Sequence, residues 1–223
     1  MGKQPIDSVL LIDKPYQWTS FDVVNKLRRI LGMKKIGHAG TLDPLATGLL
    51  IVCTGKMTKR IEEFMGLEKE YTGKFVLGQS TPSHDLETEV TEAKDVSHVT
   101  EEMIHEAARS LTGVQMQLPP LHSAIRIGGK RAYQYARKGK EIELKPREVD
   151  ISVFEITAIS LPEVHFRIVS SKGTYIRSIA RDFGERLGVG AYLTDLRRTR
   201  IGGFHVDDAV PPEAVAPPHD PTE

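Results

Sequence analysis

Twelve residues, Gly37-His38-Ala39-Gly40-Thr41-Leu42-Asp43-Pro44-Leu45-Ala46-Thr47-Gly48, run straight into the longest apolar stretch of the chain, Leu49-Leu50-Ile51-Val52-Cys53. An uninterrupted apolar run of this length suits a strand buried on both faces and falls far short of a membrane span. The loop before it is unusually constrained. Gly37, Gly40 and Gly48 allow it to fold tightly, and Pro44 restricts Asp43 to an extended conformation. Asp43 is therefore expected in a fixed pose at the edge of an apolar core. A carboxylate so placed is a candidate catalytic group. Asp-Pro is also ordinary turn chemistry, and composition alone favours the turn.

Around this segment the pattern alternates between strand and helix without regular βαβ order. Leu10–Lys14 reads as a strand, and Thr19-Ser20-Phe21-Asp22 as a helix start with a capping pattern. Phe21, Val24, Leu27 and Leu31 mark the helix's expected apolar face, with Gly32 as its stop. Thr58–Met65 predicts a short helix; Tyr71, Gly73, Phe75 and Leu77 alternate as a strand; Glu101–Leu111 predicts a helix. Ser123–Ile127 followed by Gly128-Gly129 predicts a strand and tight turn, and Arg131–Arg137 a basic helix. Val149–Ile156 and Val164–Val169 predict strands, Thr174–Leu187 a helix, and Ala191–Phe204 extended chain. The fold class is α+β with a largely antiparallel mixed sheet flanked by helices and loops. The expected organisation is one domain over 1–208, with a basic insertion at about 118–148, and a flexible proline-rich tail over 209–223.

The net charge is zero, with 30 basic and 30 acidic residues, which on its face argues against a nucleic-acid binder. The distribution is polarised. Arg126, Lys130, Arg131, Arg137, Lys138, Lys140, Lys145 and Arg147 crowd one stretch, and Asp85, Glu87, Glu89, Glu92, Asp95, Glu101, Glu102 and Glu106 another. Charge alone favours solvated faces for both. Cys53 is the only cysteine, which excludes an internal disulfide and a thiolate metal cluster. The histidines show no ligand spacing. Thr54-Gly55-Lys56-Met57-Thr58 fails the P-loop pattern, because Met57 stands where a hydroxyl is needed and Leu50 where a glycine is needed. The N-terminus meets Asp7 before any signal-peptide core forms, so the expected location is cytoplasmic.

Taken whole, the Gly37–Gly48 string resembles the catalytic motif of the TruB family, the synthases that make pseudouridine 55 in tRNA. Further segments match in order: Leu11-Ile12-Asp13-Lys14-Pro15, Lys69-Glu70-Tyr71, Leu77-Gly78-Gln79-Ser80-Thr81 with Asp85, Ser171-Lys172-Gly173-Thr174-Tyr175-Ile176-Arg177, and Leu196-Arg197-Arg198. The resemblance covers about Ile6–Phe204 and implies the pseudouridine synthase fold. It implies isomerisation of a T-loop uridine of tRNA by base flipping, without cofactor or metal, by a monomer that acts on neither DNA nor membranes.

The resemblance also assigns residues. Asp43 becomes the nucleophile, attacking sugar or base, and Arg177 its ion-pair partner. Tyr71 stacks on the target base, and Tyr175 lines the same pocket. His38 helps to displace the nucleotide, and Asp85 belongs to a supporting polar network. The basic block, including Lys130, Arg131 and Arg137, grips phosphates of the T-stem and loop. Taken singly, Arg177 is a surface helix arginine, Tyr71 a strand tyrosine and His38 a polar loop residue. Two rival readings remain: an RNA-binding or RNA-folding module without turnover, and a guide-RNA-dependent synthase subunit. The small C-terminal RNA-binding domain (PUA) of many family members has no counterpart in this sequence, which counts against the second.

Overall fold

In a computed structural model of the chain, residues 7–90, 93–121, 126–127, 130–131 and 144–216 are described. The chain divides into two units, Met1–Thr72 with Leu196–Glu223, and Gly73–Asp195. It is α+β, a mixed sheet with four α-helices among the described residues.

The apolar run forms the axis of the first unit as strand β3 (Thr47–Thr54), after β1 (Val9–Lys14) and β2 (Ile36–His38). β1 pairs antiparallel along β3, from Val9 opposite Cys53 to Lys14 opposite Gly48. β2 pairs antiparallel with its far end, placing His38 opposite Val52. β3 is apolar throughout because both of its faces are covered. Leu50 and Val52 pack with Ile12 against Val23, Val24, Leu27 and Leu31 of helix α1 (Ser20–Leu31). Leu49, Ile51 and Cys53 pack on the other side with Phe64 of helix α2 (Ile61–Gly66), Ile201 and Val206. Strand β4 (Lys69–Leu77) begins in this unit.

Helix α1 starts as its sequence dictates. Thr19 Oγ1 accepts from the Asp22 amide, and the Asp22 carboxylate accepts from the Thr19 amide, a reciprocal capping box. Gly32 closes the helix in the left-handed region at φ 62°. The expected apolar face needs one correction: Val23 takes the inward place assigned to Phe21, which is exposed.

The second unit carries helix α3 (Glu101–Ser110), strand β5 (Gly113–Gln117), strands β8 (Arg147–Ser160) and β9 (Glu163–Ser170), helix α4 (Ile176–Arg186) and the start of strand β10 (Ala191–Ile201). Its strand order is β10-β4-β9-β8-β5, with β8 antiparallel to both β9 and β5. Phe75 stacks on Phe166 at 4.2 Å and meets Phe183 of α4 at 5.5 Å, an aromatic centre under the helix. In the basic stretch, the short strands β6 (Arg126–Ile127) and β7 (Lys130–Arg131) form an antiparallel pair, so Arg131 is extended where a helix start was expected. Arg137, Lys138, Lys140 and the rest of the expected basic helix lie outside the described residues.

β10 ends in the first unit, where Arg197 and Arg198 run parallel to Thr47 and Gly48, and turns back through β11 (Phe204–His205). Residues 209–216 depart from the expected loose tail. Val210 bonds through its backbone to Leu11 and Asp13, Pro212 is buried, and Val215 packs on the α1 cluster. The segment's prolines leave few amides needing partners, and Ala209, Pro212 and Val215 supply the apolar surface that docks. No helix among the described residues is long and apolar enough to cross a membrane.

The seat of α4 can be tested at Gly184, where an added Cβ would lie 2.1 Å from the Ala191 amide nitrogen and 2.3 Å from the Gly190 carbonyl carbon. Alanine gains about 1 kcal/mol of helix propensity. Overpacking against rigid backbone costs about 1–3 kcal/mol and wins. Gly184→Ala is expected to lower the urea midpoint; an unchanged or higher midpoint would show that α4 moves freely off β10.

Candidate active site

In the first unit, the loop carrying Asp43 is held by its backbone carbonyls. The Arg198 guanidinium, 1% exposed, donates from Nε to Leu49 O at 2.7 Å, from Nη1 to Thr41 O at 3.4 Å and from Nη2 to Gly40 O at 3.3 Å. One side chain thus spans both ends of the loop. Lys14 is wholly buried, and its Nζ donates to Pro44 O at 3.2 Å, Pro15 O at 2.9 Å and Trp18 O at 2.5 Å. The Ser20 hydroxyl accepts from the Leu42 amide at 2.9 Å and donates to its carbonyl at 3.2 Å. Inside the loop, the Ala46 amide closes a turn onto Asp43 O at 3.1 Å. Gly48 makes the fit possible: at φ 103°, a Cβ there would lie 2.3 Å from Arg198 O.

Asp43 itself is half-buried. Its carboxylate is one of the charges that raise the Lys14 pKa, opposing burial, the largest influence. The nearby Arg198 charge lowers it further, and the amine ends at about 8. Tyr71 is buried in β4, and His38 is half-buried in β2 directly before the loop.

In the second unit, Arg177 is not the surface arginine that its helix position alone suggests. It is 3% exposed in the first turn of α4, with Nε 3.4 Å from Asp85 Oδ2 and Nη1 donating to Ser83 O at 3.3 Å. Asp85, at the head of the acidic stretch, leaves the solvated face expected of that stretch and is buried. Its second carboxylate oxygen accepts from the Glu87 amide at 2.9 Å, and its carbonyl accepts from the hydroxyls of Thr81 and Ser83. Asp85 therefore holds Arg177 in one orientation. Tyr175 stands at the N-cap of α4. Buried Gln117 donates to its carbonyl and accepts from its amide, and the Arg147 guanidinium lies 4.8 Å over its ring.

Asp43, His38 and Tyr71 lie in the first unit, and Arg177, Asp85 and Tyr175 in the second. Lys14 and Arg198 lie within the family-like motifs, and nothing in the sequence marks a role for either. Nothing in a charge pattern says that a cation is buried. The strands of these two residues meet through β3, where Lys14 of β1 and Arg198 of β10 both lie opposite Gly48. Ser20 and Gln117 carried no signal at all.

The Lys14 environment has a pH signature. Its folded pKa, about 8, lies below the ordinary value of 10.5, so between the two the unfolded chain binds more protons than the folded one. The contribution of Lys14 to stability therefore rises from pH 8 to about pH 10.5 and is flat below. Urea unfolding of the wild type and Lys14→Met at pH 7 and pH 9.5 checks this. The stability gap between them is expected to shift in favour of the wild type at the higher pH; a constant gap would place the amine at its ordinary pKa.

Comparison with known proteins bears on what these groups do. Residues 28–176 match the model of the TruB family pseudouridylate synthase N-terminal domain, and residues 177–217 that of the tRNA pseudouridylate synthase B C-terminal domain. The chain is 54% identical over 209 residues to tRNA pseudouridine synthase B of Flavobacterium johnsoniae, covering 91% of each protein. It is 56% identical over 210 residues to the protein of that name from Chloroherpeton thalassium, covering 92% of this chain and 87% of the other. Among solved structures, a chain of a Cbf5-Nop10-Gar1 complex is similar, with a TM-score of 0.70 and 32% identity over 91% of this chain. The present chain spans about half of that one, 51% of its length. With both family models in tandem along the chain and such relatives matched nearly end to end, this protein belongs to the TruB family of pseudouridylate synthases.

Proposed function

We propose that the protein converts uridine to pseudouridine at position 55 in the T-loop of tRNA, with Asp43 as the nucleophile. In this isomerisation the bond from ribose C1′ to uracil N1 breaks and one from C1′ to C5 forms. The C5 hydrogen leaves and N1 gains a proton, so no oxidant or co-substrate is consumed. The observation that carries the reading is the Asp43 loop, a carboxylate in a family motif with its backbone fixed at Gly40, Thr41, Leu42, Pro44 and Leu49. Fixing the attacking group in advance is worth much of a barrier of this kind.

Arg177 supplies a fixed positive charge for the reaction, oriented by Asp85. Tyr71 and Tyr175 offer ring faces to the flipped base, and His38 helps to hold the nucleotide out of the RNA stack. The basic stretch, with Lys130, Arg131 and Arg137, grips phosphates of the T-stem and loop. The protein acts as a monomer in the cytoplasm.

Asp43→Asn is nearly isosteric and removes the nucleophile. Pseudouridine formed on an unmodified tRNA transcript, mapped at base resolution, is expected to fall by at least about a thousandfold. Affinity for the transcript is expected to stay within about threefold of the wild type. Appreciable turnover by the variant would remove Asp43 from the mechanism. A wild type that binds and never turns over would make the protein an RNA-folding module.

Neutralising Lys130, Arg131, Arg137 and Lys138 together tests the grip. Each lost phosphate contact is expected to lower the log–log salt slope of binding by about 0.7–0.9, with turnover at saturating RNA changed far less. An unchanged slope would make the block a solvated face.

A further inference from the structure

Two aromatic rings beside the Asp43 loop face solvent with no part in the core. Tyr16 is 49% exposed and Phe21 57% exposed. They flank a short segment in which Gln17 and Thr19 are exposed, Trp18 packs on the α1 cluster and Ser20 is buried against Leu42. Isolated exposed apolar residues are common and need no explanation. These two differ because the backbone presenting them is fixed to the catalytic loop itself.

The fixing is specific. Lys14 Nζ binds Pro15 O and Trp18 O on either side of Tyr16, and the same nitrogen binds Pro44 O, one residue past Asp43. Between them Gln17 adopts φ 65°, a left-handed conformation that non-glycine residues avoid unless their surroundings impose it. That kink sends Tyr16 outward and Trp18 inward. Phe21 follows Ser20, whose hydroxyl is bonded twice to Leu42, one residue before Asp43. Both rings are thus tied to Asp43 through its immediate chain neighbours.

Phe21 is also held from one side. The Arg28 guanidinium lies 5.7 Å from its ring centre and is itself tethered, donating to Asn25 Oδ1 and to Ile36 O, each at 3.2 Å. A ring backed by a fixed cation, with more than half its surface open, is a rigid planar platform.

We propose that Tyr16 and Phe21 form a stacking surface for unpaired bases of the substrate RNA next to the uridine being isomerised. The proposal rests on Asp43 marking the reaction centre. RNA is the partner because the platform is continuous with the loop of a pseudouridylate synthase, and because unpaired bases next to an extruded nucleotide have lost stacking that flat rings can replace. Stacking tolerates any base, so the surface adds affinity without reading sequence.

The test is affinity and steady-state kinetics on an unmodified tRNA transcript for Tyr16→Ala, Phe21→Ala and the double variant. Tyr16→Phe and Phe21→Trp serve as ring-retaining variants, and Leu161→Ala as an exposed apolar control in the other unit. Each lost ring is expected to raise Kd and KM about tenfold, with the ring-retaining variants near the wild type. The salt slope of binding is expected to stay at the wild-type value, because no phosphate contact is lost. Affinity for a fully paired RNA duplex is expected not to change. A double variant within twofold of the wild type in Kd would overturn the proposal. So would a reduced salt slope, or an equal loss on the duplex. The binding arms need no turnover, so they stand or fall separately from the catalytic reading of Asp43.

Discussion

Two buried cations bonded to backbone carbonyls hold the Asp43 loop of the first unit in place. Lys14 and Arg198 are both removed from water, and neither has a carboxylate within ion-pair distance among the described residues. Burying a charge without a partner is expensive. Here six carbonyl dipoles solvate the two, drawn from the Asp43 loop, its following strand and the turn at Pro15–Trp18. The arrangement works in both directions. The loop supplies the polar groups that make the cations tolerable, and the cations fix the loop. Loss of either side chain would leave several carbonyls unsatisfied at once, which ties loop order to the integrity of the sheet behind it.

The second unit solves the same problem with an ion pair. Arg177 is buried with Asp85, and the remaining carboxylate oxygen is satisfied by a backbone amide. A buried pair of this kind contributes little net stability, because desolvation offsets the attraction. Its benefit is orientation: the guanidinium is held at two edges, by the Asp85 carboxylate and the Ser83 carbonyl. Tyr175, two residues earlier, is held by its backbone through Gln117 and by its ring through Arg147. Each side chain assigned to chemistry in this unit is therefore fixed by residues with no chemistry of their own.

Much of this was legible in the sequence, for identifiable reasons. The apolar run of β3 announced a strand covered on both faces, and two core clusters cover it. The Thr19–Asp22 spacing fixed the start of α1, because a capping box is a local interaction and needs no tertiary partner. Phe21 was misread because periodicity over one helix cannot separate Val23 from Phe21 as the inward residue; the angle at which α1 meets the sheet decides, and that is tertiary. The docking of Val210, Pro212 and Val215 was missed for a similar reason. A segment rich in proline shows no strand or helix period, yet needs only two amide bonds and a few apolar side chains to lie along β1. Ser20 and Gln117 were invisible because a single hydrogen-bonding side chain leaves no pattern along the chain.

The two buried cations also differ in a way that bears on how the loop behaves with pH. Arg198 reaches Gly40, Thr41 and Leu49 through a planar guanidinium with several N–H donors. Lys14 has a single nitrogen, and with its pKa lowered to about 8 by burial it passes from ammonium to amine just above neutrality. An amine has two hydrogens for the three carbonyls at Pro15, Trp18 and Pro44, so one bond must be given up as the proton leaves. The centre of the Asp43 loop at Pro44 is thus held by a group whose charge is adjustable. The same proton carries the positive charge that Lys14 presents toward Asp43, so its loss removes one backbone bond and one favourable charge from the loop together.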